Sequence, residues 1–99
     1  MNKKDFTELL FNGILQLENI DECYALFADL CTGHEIQSLA QRLEVARLLR
    51  EGVTYAAIAE RTGASTATIS RVNRSITDSK GGYDIVFKRL EQDASAKNT

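Results

Sequence analysis

The chain has 99 residues, of which 43% are hydrophobic and 26% are charged, which suits one small globular domain and argues against global disorder. It has no apolar stretch long enough to span a membrane, and its single histidine excludes most catalytic constellations. The net charge of −2 is unevenly distributed, because residues 1–39 carry two lysines against seven acidic residues and residues 40–75 carry six arginines against three. The Arg-rich middle third favours binding to phosphate and guanine, although ordinary solvated helix faces would give the same charge pattern.

The first predicted helix is apolar on two sides. Its main stripe begins at Phe6 and repeats at helical spacing to Leu17, while Phe11 and Leu15 lie far from that stripe. Such a helix must be covered on both sides, and a chain of this length has little of its own to provide the second cover. We therefore expect an intertwined homodimer in preference to a self-sufficient monomer.

Capping signals predict the next two helices. Asn19 precedes the second helix, and Thr32 and Glu35 form a capping box that opens a long third helix. This third helix runs to about residue 51 and is ended by Gly52. It also has apolar residues on two sides, which supports the expectation of a homodimer.

The two cysteines belong to the helical repeat of the second predicted helix, with no histidine at metal-ligand spacing. The spacing of Cys23 and Cys31 favours reduced thiols in the core of a cytoplasmic protein over a disulfide or a metal site. His34 lies in the first turn of the third helix, where we expect a solvent-exposed polar residue instead of a metal ligand or catalytic base. The N-terminal residues do not resemble a signal peptide. We therefore expect a cytoplasmic protein without a metal site.

Residues 54–75 carry the pattern on which the functional interpretation depends. A short helix ends its inner face at Ile58 and Ala59, and Gly63 follows where a sharp turn favours glycine. A second helix, capped by Ser65, has an inner face made of Ala64, Ile69 and Val72. Two short helices with a glycine turn at this spacing form a helix-turn-helix signature, with a purely structural helical hairpin as the alternative.

The outward face of this second helix carries short polar side chains and no acidic residue. Hydroxyl groups can meet phosphates or base edges, methyl groups can touch thymine, and Arg71 can bind guanine through two hydrogen bonds. An inward-turned Arg71 that holds the helix is the alternative. The expected DNA-binding residues are Thr54, Ser65, Thr66, Ala67, Thr68, Ser70, Arg71 and Arg74.

Four blocks of the sequence occur in an order and spacing that match a known family. They are residues 32–35 (TGHE), 39–43 (LAQRL), 48–52 (LLREG) and 63–71 (GASTATISR). The chain thereby resembles the Trp repressor superfamily, and within it the YerC/YecD-type Trp-repressor-like proteins, over about residues 24–76. The resemblance implies an all-helical, intertwined dimer whose two recognition helices enter successive major grooves of a near-palindromic operator.

The resemblance also implies a candidate effector pocket. In the repressor, tryptophan lies between the long helix and the recognition helix and is held by two arginines, whose positions Arg42 and Arg71 occupy here. Thr32 and Ser75 match further residues near that ligand. Val72 stands where the repressor has a glycine, and its side chain would fill the space of the indole. We therefore expect no tryptophan cofactor, and any effector remains unidentified.

The predicted fold class is all-α, a Trp-repressor-like intertwined helical dimer with a helix-turn-helix at about residues 54–75. One domain is expected over residues 1–92, with a polar turn at residues 77–82 before a last short helix. Its apolar stripe consists of Tyr83, Val86, Phe87 and Leu90. Residues 93–99 are expected to form a disordered tail.

The predicted function is sequence-specific binding of a double-stranded DNA operator by a homodimer that represses transcription by occluding the promoter. The alternative is a protein-interaction module that docks the same scaffold on polymerase or another regulator, since the acidic N-terminal third would suit a basic partner. No catalytic residue set, Gly-rich phosphate loop or metal motif is present, so an enzyme is not expected.

Overall fold

The computed structural model describes residues 2–78 and 81–97, and its regular structure within these ranges is entirely α-helical. The helices are α1 (Lys3–Ile14), α2 (Ile20–Leu30), α3 (Gly33–Arg50), α4 (Tyr55–Thr62), α5 (Thr66–Asp78) and α6 (Gly82–Lys97). The predicted all-α fold class is therefore confirmed. None of these helices is both long enough and apolar enough to cross a membrane. The chain divides into two compact units, Met1–Ile36 and Gln37–Thr99.

Side-chain caps begin α1, α2 and α3. Asn2 and Asp5 form a reciprocal capping box at α1, and the side chain of Asn19 caps α2 as predicted. At α3 the predicted box is present: the Thr32 N–H donates to Glu35 Oε1 at 2.8 Å, and the Glu35 N–H donates to Thr32 Oγ1 at 3.1 Å. The hydrogen bond from the Thr32 backbone lowers the pKa of the Glu35 carboxyl below its usual value. These caps satisfy backbone N–H groups that have no partner inside the helix.

Apolar side chains of the first unit remain on its surface. Neither α1 nor α2 contains a buried residue. The exposed large apolar residues of α1, its C-cap and α2 are Phe6, Leu9, Leu10, Phe11, Leu15, Ile20, Tyr24 and Leu30. Both cysteines are free, but Cys23 is exposed and Cys31 is half-buried, so the expectation of core thiols is wrong for the single chain. The physical reason is that α1 and α2 enclose no core within their own unit.

The second unit contains the apolar core. Helices α3, α4, α5 and α6 all contribute to it, together with one residue of the turn between α4 and α5. Its buried residues are Val45, Ala46, Leu48, Ile58, Ala64, Ile69, Val72 and Phe87. The predicted inner face of the pair formed by α4 and α5 is therefore confirmed. The last helix packs on this core through Phe87, whose ring stacks on Tyr83 at a centroid distance of 6.5 Å.

The ends of α5 and α6 differ from the expectations for residues 77–82 and 93–99. Thr77 and Asp78 belong to α5, and Ser79 and Lys80 lie outside the described residues. Helix α6 includes residues 93–97, since alanine and lysine there are good helix formers, while residues 98–99 lie outside the described residues. The single-domain assignment of residues 1–92 stays a prediction.

A left-handed glycine joins α4 to α5. Gly63 has φ +73° and ψ 6°, and its N–H donates to the carbonyl of Ala59. A Cβ at this position would meet no atom within 4 Å, so only the backbone conformation requires glycine. Three residues then separate α4 from α5, which confirms the predicted sharp turn.

The substitution Gly63→Ala should destabilise the protein by about 1 kcal/mol, because an L-alanine is strained at positive φ even where space is open. Urea unfolding followed by circular dichroism measures this difference. Gly82→Ala is the matched control, since Gly82 opens α6 without a positive φ and also has no atom within 4 Å of an added Cβ. Equal stability of the two variants would contradict the assignment of strain to the turn.

Candidate nucleic-acid interface

Helix α5 presents one side to the core and the opposite side to solvent. Ile69 and Val72 are buried, whereas Thr66, Ala67 and Arg71 are exposed. Arg74 is also exposed, and Ser70 is half-buried between these positions. Residues 66, 67, 70, 71 and 74 recur at helical spacing, so they share one outward face. We call these five residues the outward face of α5.

Two of the predicted DNA-binding hydroxyls are used inside the protein. Ser65 Oγ accepts the N–H of Thr68 at 3.1 Å and donates to Thr68 Oγ1 at the same distance. Ser65 is thus the N-cap of α5, as predicted. Because both hydroxyls hold the first turn of the helix, the short side chains of the outward face are Thr66, Ala67 and Ser70.

Thr54 and Tyr55 lie at the N-terminal end of α4. The Thr54 hydroxyl accepts the N–H of Ala57 at 3.3 Å and caps the helix. Tyr55 is 38% exposed at the first helical position and was not among the predicted residues. An aromatic residue directly after the capping Thr54 is the sequence signal that could have indicated it. The N-terminus of α4 thus offers a hydroxyl-bearing side chain beside the helix cap.

The six arginines of residues 40–75 have different electrostatic environments. Arg47 pairs with Glu44 at 2.5 Å and with Glu51 at 2.8 Å, while Arg50 pairs with Asp84 and Glu91. The hydrogen bond with Arg47 lowers the pKa of Glu44, and that same bond raises the pKa of Arg47. These acidic partners neutralise the Arg47 and Arg50 side of the unit.

The remaining arginines of residues 40–75 are Arg42, Arg61, Arg71 and Arg74, and none of them forms an ion pair with any residue that the structure describes. Two of these, Arg71 and Arg74, belong to the outward face of α5. The uncompensated positive charge on α5 therefore lies on the same face as its short polar side chains. A cationic surface with small side chains permits close approach to a polyanion.

An open cleft of about 350 Å³ lies between residues of α3, of α6 and of the segment that follows α3. It is lined by Arg47, Arg50, Glu51, Phe87 and Glu91. The Arg50 guanidinium lies 5.3 Å from the centre of the Phe87 ring. Because the arginines of this cleft already pair with its acidic residues, it presents no uncompensated charge to a ligand. No group of three or more His, Cys, Asp or Glu residues in residues 2–78 and 81–97 is arranged to hold a metal ion.

A long-range hydrogen bond that was not predicted from the sequence holds the turn between α4 and α5. Gln41 Nε2, on α3, donates to the carbonyl oxygen of Thr62 at 3.1 Å. The Thr62 hydroxyl accepts the N–H of Ala64 at 3.1 Å. A local sequence pattern cannot predict a hydrogen bond between residues 21 positions apart. Gln41 therefore joins the long helix to the turn that precedes α5.

The candidate effector residues lie in dissimilar settings. Thr32 caps α3 in the first unit, and Arg42 is half-buried on α3 in the second. Arg71 is exposed, and Ser75 Oγ donates to the Arg71 carbonyl oxygen at 3.2 Å. Val72 is only 2% exposed, and its side chain occupies the core. Residue 72 therefore carries a buried side chain and does not offer a bare backbone to an indole.

The model of the Trp repressor protein family matches residues 6–91 of this chain. The chain belongs to the Trp repressor family. It is 58% identical over 83 residues to the uncharacterized protein YerC of Bacillus subtilis (strain 168), covering 84% of this chain and 80% of that protein.

Two solved structures of similar proteins support the membership in the Trp repressor family. A TrpR-like protein from Eubacterium eligens ATCC 27750 superimposes with a TM-score of 0.87 and 58% identity, covering 90% of this chain and 92% of that one. A candidate Trp repressor from Staphylococcus aureus gives a TM-score of 0.85 and 50% identity, covering 88% and 87% of the two chains. The resemblance predicted from the sequence blocks is therefore confirmed.

Replacement of Ser65 by alanine should cost about 1 kcal/mol of stability, because the first turn of α5 loses its cap. Thr66→Ala is the matched control, since Thr66 is exposed on the outward face and the cap does not use its hydroxyl. Thermal unfolding of both variants measures the difference. If Thr66→Ala proved as destabilising as Ser65→Ala, the separation of capping from outward-facing hydroxyls would be wrong.

Proposed function

We propose that this protein is a dimeric, sequence-specific DNA-binding transcriptional regulator that represses by occluding its operator. The observation that carries the proposal is the outward face of α5, where two arginines without ion pairs among the described residues accompany short, uncharged side chains. Membership in the Trp repressor family supports this function. The proposal includes a cytoplasmic location and no enzymatic activity.

In this proposal α4 and α5 act as a helix-turn-helix, and α5 is the recognition helix. Thr66, Ala67 and Ser70 are small enough to let the helix backbone approach base edges in the major groove. Ala67 would contact a thymine methyl, and the two hydroxyls would contact bases or phosphates. Arg71 would bind guanine with two hydrogen bonds, and Arg74 would add a phosphate contact.

The N-terminal end of α4 would contact the DNA backbone. Thr54 caps this helix, and the exposed Tyr55 is its first residue, in the turn whose N–H groups have no partner within the helix. The positive end of the helix dipole and a hydroxyl donor both favour a phosphate. Such contacts set the register of the protein on the duplex, while the outward face of α5 supplies sequence selection.

A second copy of the chain would cover the exposed apolar residues of α1 and α2. Eight large apolar side chains of these helices and the α1 C-cap are exposed, which greatly exceeds the few scattered residues of an ordinary monomer surface. The early part of α3 adds Leu39 and Leu43, which are 44% and 40% exposed. Because neither α1 nor α2 buries a residue in the single chain, an intertwined dimer is the assembly that stabilises them.

Dimer symmetry determines the form of the operator. Two identical recognition helices would bind two inverted half-sites about one helical turn of DNA apart. A dimer bound across a promoter excludes RNA polymerase by occupying the same DNA surface, which is the proposed mechanism of repression.

The alternative function is docking on another protein through the same scaffold. The feature that favours it is the acidic charge of residues 1–39, which contain two lysines and seven acidic residues. Salt dependence separates the alternatives, because counterion release weakens DNA binding by orders of magnitude between about 50 and 200 mM salt, whereas an apolar contact changes little.

Selection from a random duplex library should enrich an inverted repeat. On the selected DNA, Arg71→Ala should cost about 1–3 kcal/mol in binding free energy if Arg71 contacts a base. Fluorescence anisotropy measures the affinity, and Arg89→Ala is the control because Arg89 is exposed on α6. Equal losses of affinity for Arg71→Ala on specific and random DNA would show that Arg71 contacts only the DNA backbone. Absence of any enriched sequence in the selection would contradict the proposed function.

Sedimentation equilibrium should give twice the mass of one chain, and the unfolding temperature should rise with protein concentration. Leu9→Asp should weaken the dimer strongly, because it places a charge on the exposed apolar side of α1. Asn12→Asp introduces the same charge at an exposed polar position of α1 and should leave the mass unchanged. A folded wild-type monomer at micromolar concentration would contradict the dimer.

A further inference from the structure

Gln41 connects the long helix α3 to the end of α4. Its side-chain amide is part-buried and donates to the carbonyl oxygen of Thr62, the last residue of α4, at 3.1 Å. The final carbonyl groups of a helix have no partner inside it, so a partner from elsewhere is needed where they are shielded from water. Gln41 supplies that partner and thereby determines where α4 ends relative to α3.

Thr62 transmits this restraint to the start of α5. Its hydroxyl donates to the Ile58 carbonyl oxygen at 2.7 Å and accepts the Ala64 N–H at 3.1 Å. Ala64 is buried immediately before Ser65, the cap of α5. Two hydrogen bonds of Thr62 therefore connect α3 to the residue that precedes the cap of α5: its carbonyl oxygen accepts from Gln41, and its hydroxyl accepts from the Ala64 N–H.

Val72 restrains the middle of the same helix. Its side chain is 2% exposed and belongs to the core cluster that includes Val45 of α3 and Ile58 of α4. An isopropyl group in a packed core leaves little freedom for a rotation of α5 about its axis, since rotation would open a void. The two restraints act at different points, one at the start of α5 and one at its centre.

The family name suggests tryptophan as a ligand, but the residues present do not fit it. The Val72 side chain fills the core beside α5, and the Ser75 hydroxyl is already donated to the Arg71 carbonyl. An indole against α5 would have to displace a buried apolar group that stabilises the unit. The space beside the α5 backbone at residue 72 is thus filled by the chain's own side chain.

We propose that Gln41 and Val72 position α5 in place of a small molecule, so that this protein binds its operator without tryptophan or another corepressor. This inference rests on the proposed DNA-binding function. Gln41 and Val72 are positioning residues, since neither belongs to the outward face of α5. A corepressor raises DNA affinity only by binding the DNA-binding conformation more tightly than another conformation. If Gln41 and Val72 already hold α5 in its DNA-binding orientation, a small molecule has no such shift to produce.

The first experiment measures operator affinity of extensively dialysed wild-type protein, with and without millimolar L-tryptophan, by fluorescence anisotropy. The expected result is tight binding in both samples, with dissociation constants that agree within about twofold. Binding that appears only with L-tryptophan, or only with a small-molecule extract of cells, would overturn the inference while supporting the DNA-binding function. Absence of binding in every sample would instead contradict the proposed function on which the inference rests.

The second experiment tests Gln41 directly. Gln41→Leu should weaken operator binding about tenfold through the loss of one positioning hydrogen bond, without changing the mass of the assembly. Amide exchange at Ala64 should become faster in this variant, because the turn loses its connection to α3. Gln37→Leu is the matched control, since Gln37 is exposed one helical turn earlier on α3. Wild-type affinity and exchange in Gln41→Leu would overturn the role of Gln41.

The third experiment separates the role of the Val72 side chain from the general loss of stability that a glycine causes in a helix. Val72→Gly should weaken operator binding by about tenfold or more, because the core no longer holds α5 in one orientation. Asn73→Gly has the same backbone cost at the next, half-buried position and should bind nearly as wild type. The operator affinity of Val72→Ala should lie between those of Val72→Gly and Asn73→Gly. This variant can still be measured if Val72→Gly does not fold. Unchanged affinity in both Val72 variants would overturn the role of Val72.

Discussion

The orientation of α5 depends on the small apolar core that it shares with α3 and α4. Val45, Ile58 and Ile69 are the largest fully buried side chains in it, one from each of these three helices. Because the apolar side of α5 is committed to this core, its opposite side must face solvent. One constraint therefore stabilises the unit and, at the same time, determines which side chains are presented to a ligand. The turn at Gly63 brings α5 to this core at a short distance from α4.

Local pairing of charges gives an acidic chain a cationic surface. Arg47 and Arg50 lie near acidic residues of α3 and α6, which neutralise them, whereas Arg71 and Arg74 form no ion pair among the described residues. Net charge is a property of the whole chain, but attraction at contact depends on the charges within about a Debye length. The overall negative charge is therefore compatible with a polyanionic partner at α5.

The exposed apolar surface of the first unit explains why burial predicted from apolar periodicity was wrong there. Cys23 was expected in a core because it follows the periodicity of apolar residues, yet α2 buries no residue in the single chain. Periodicity identifies the side of a helix that avoids water, but it does not identify the element that covers it. For α3 the same reasoning succeeded at Val45 and Leu48, because α4 and α5 cover that side.

Sequence alone determined the helices, the caps at Thr32 and Ser65, the glycine turn and the buried side of α5. Each of these depends on side chains and backbone groups within about one helical turn of each other, so a local pattern records it. Tertiary structure alone decided that Asp84 and Glu91 neutralise Arg50 and that Gln41 bonds to the turn at Thr62. Those features depend on atoms 21 or more residues apart, whose distance is set by packing of the core and has no signature in either segment by itself.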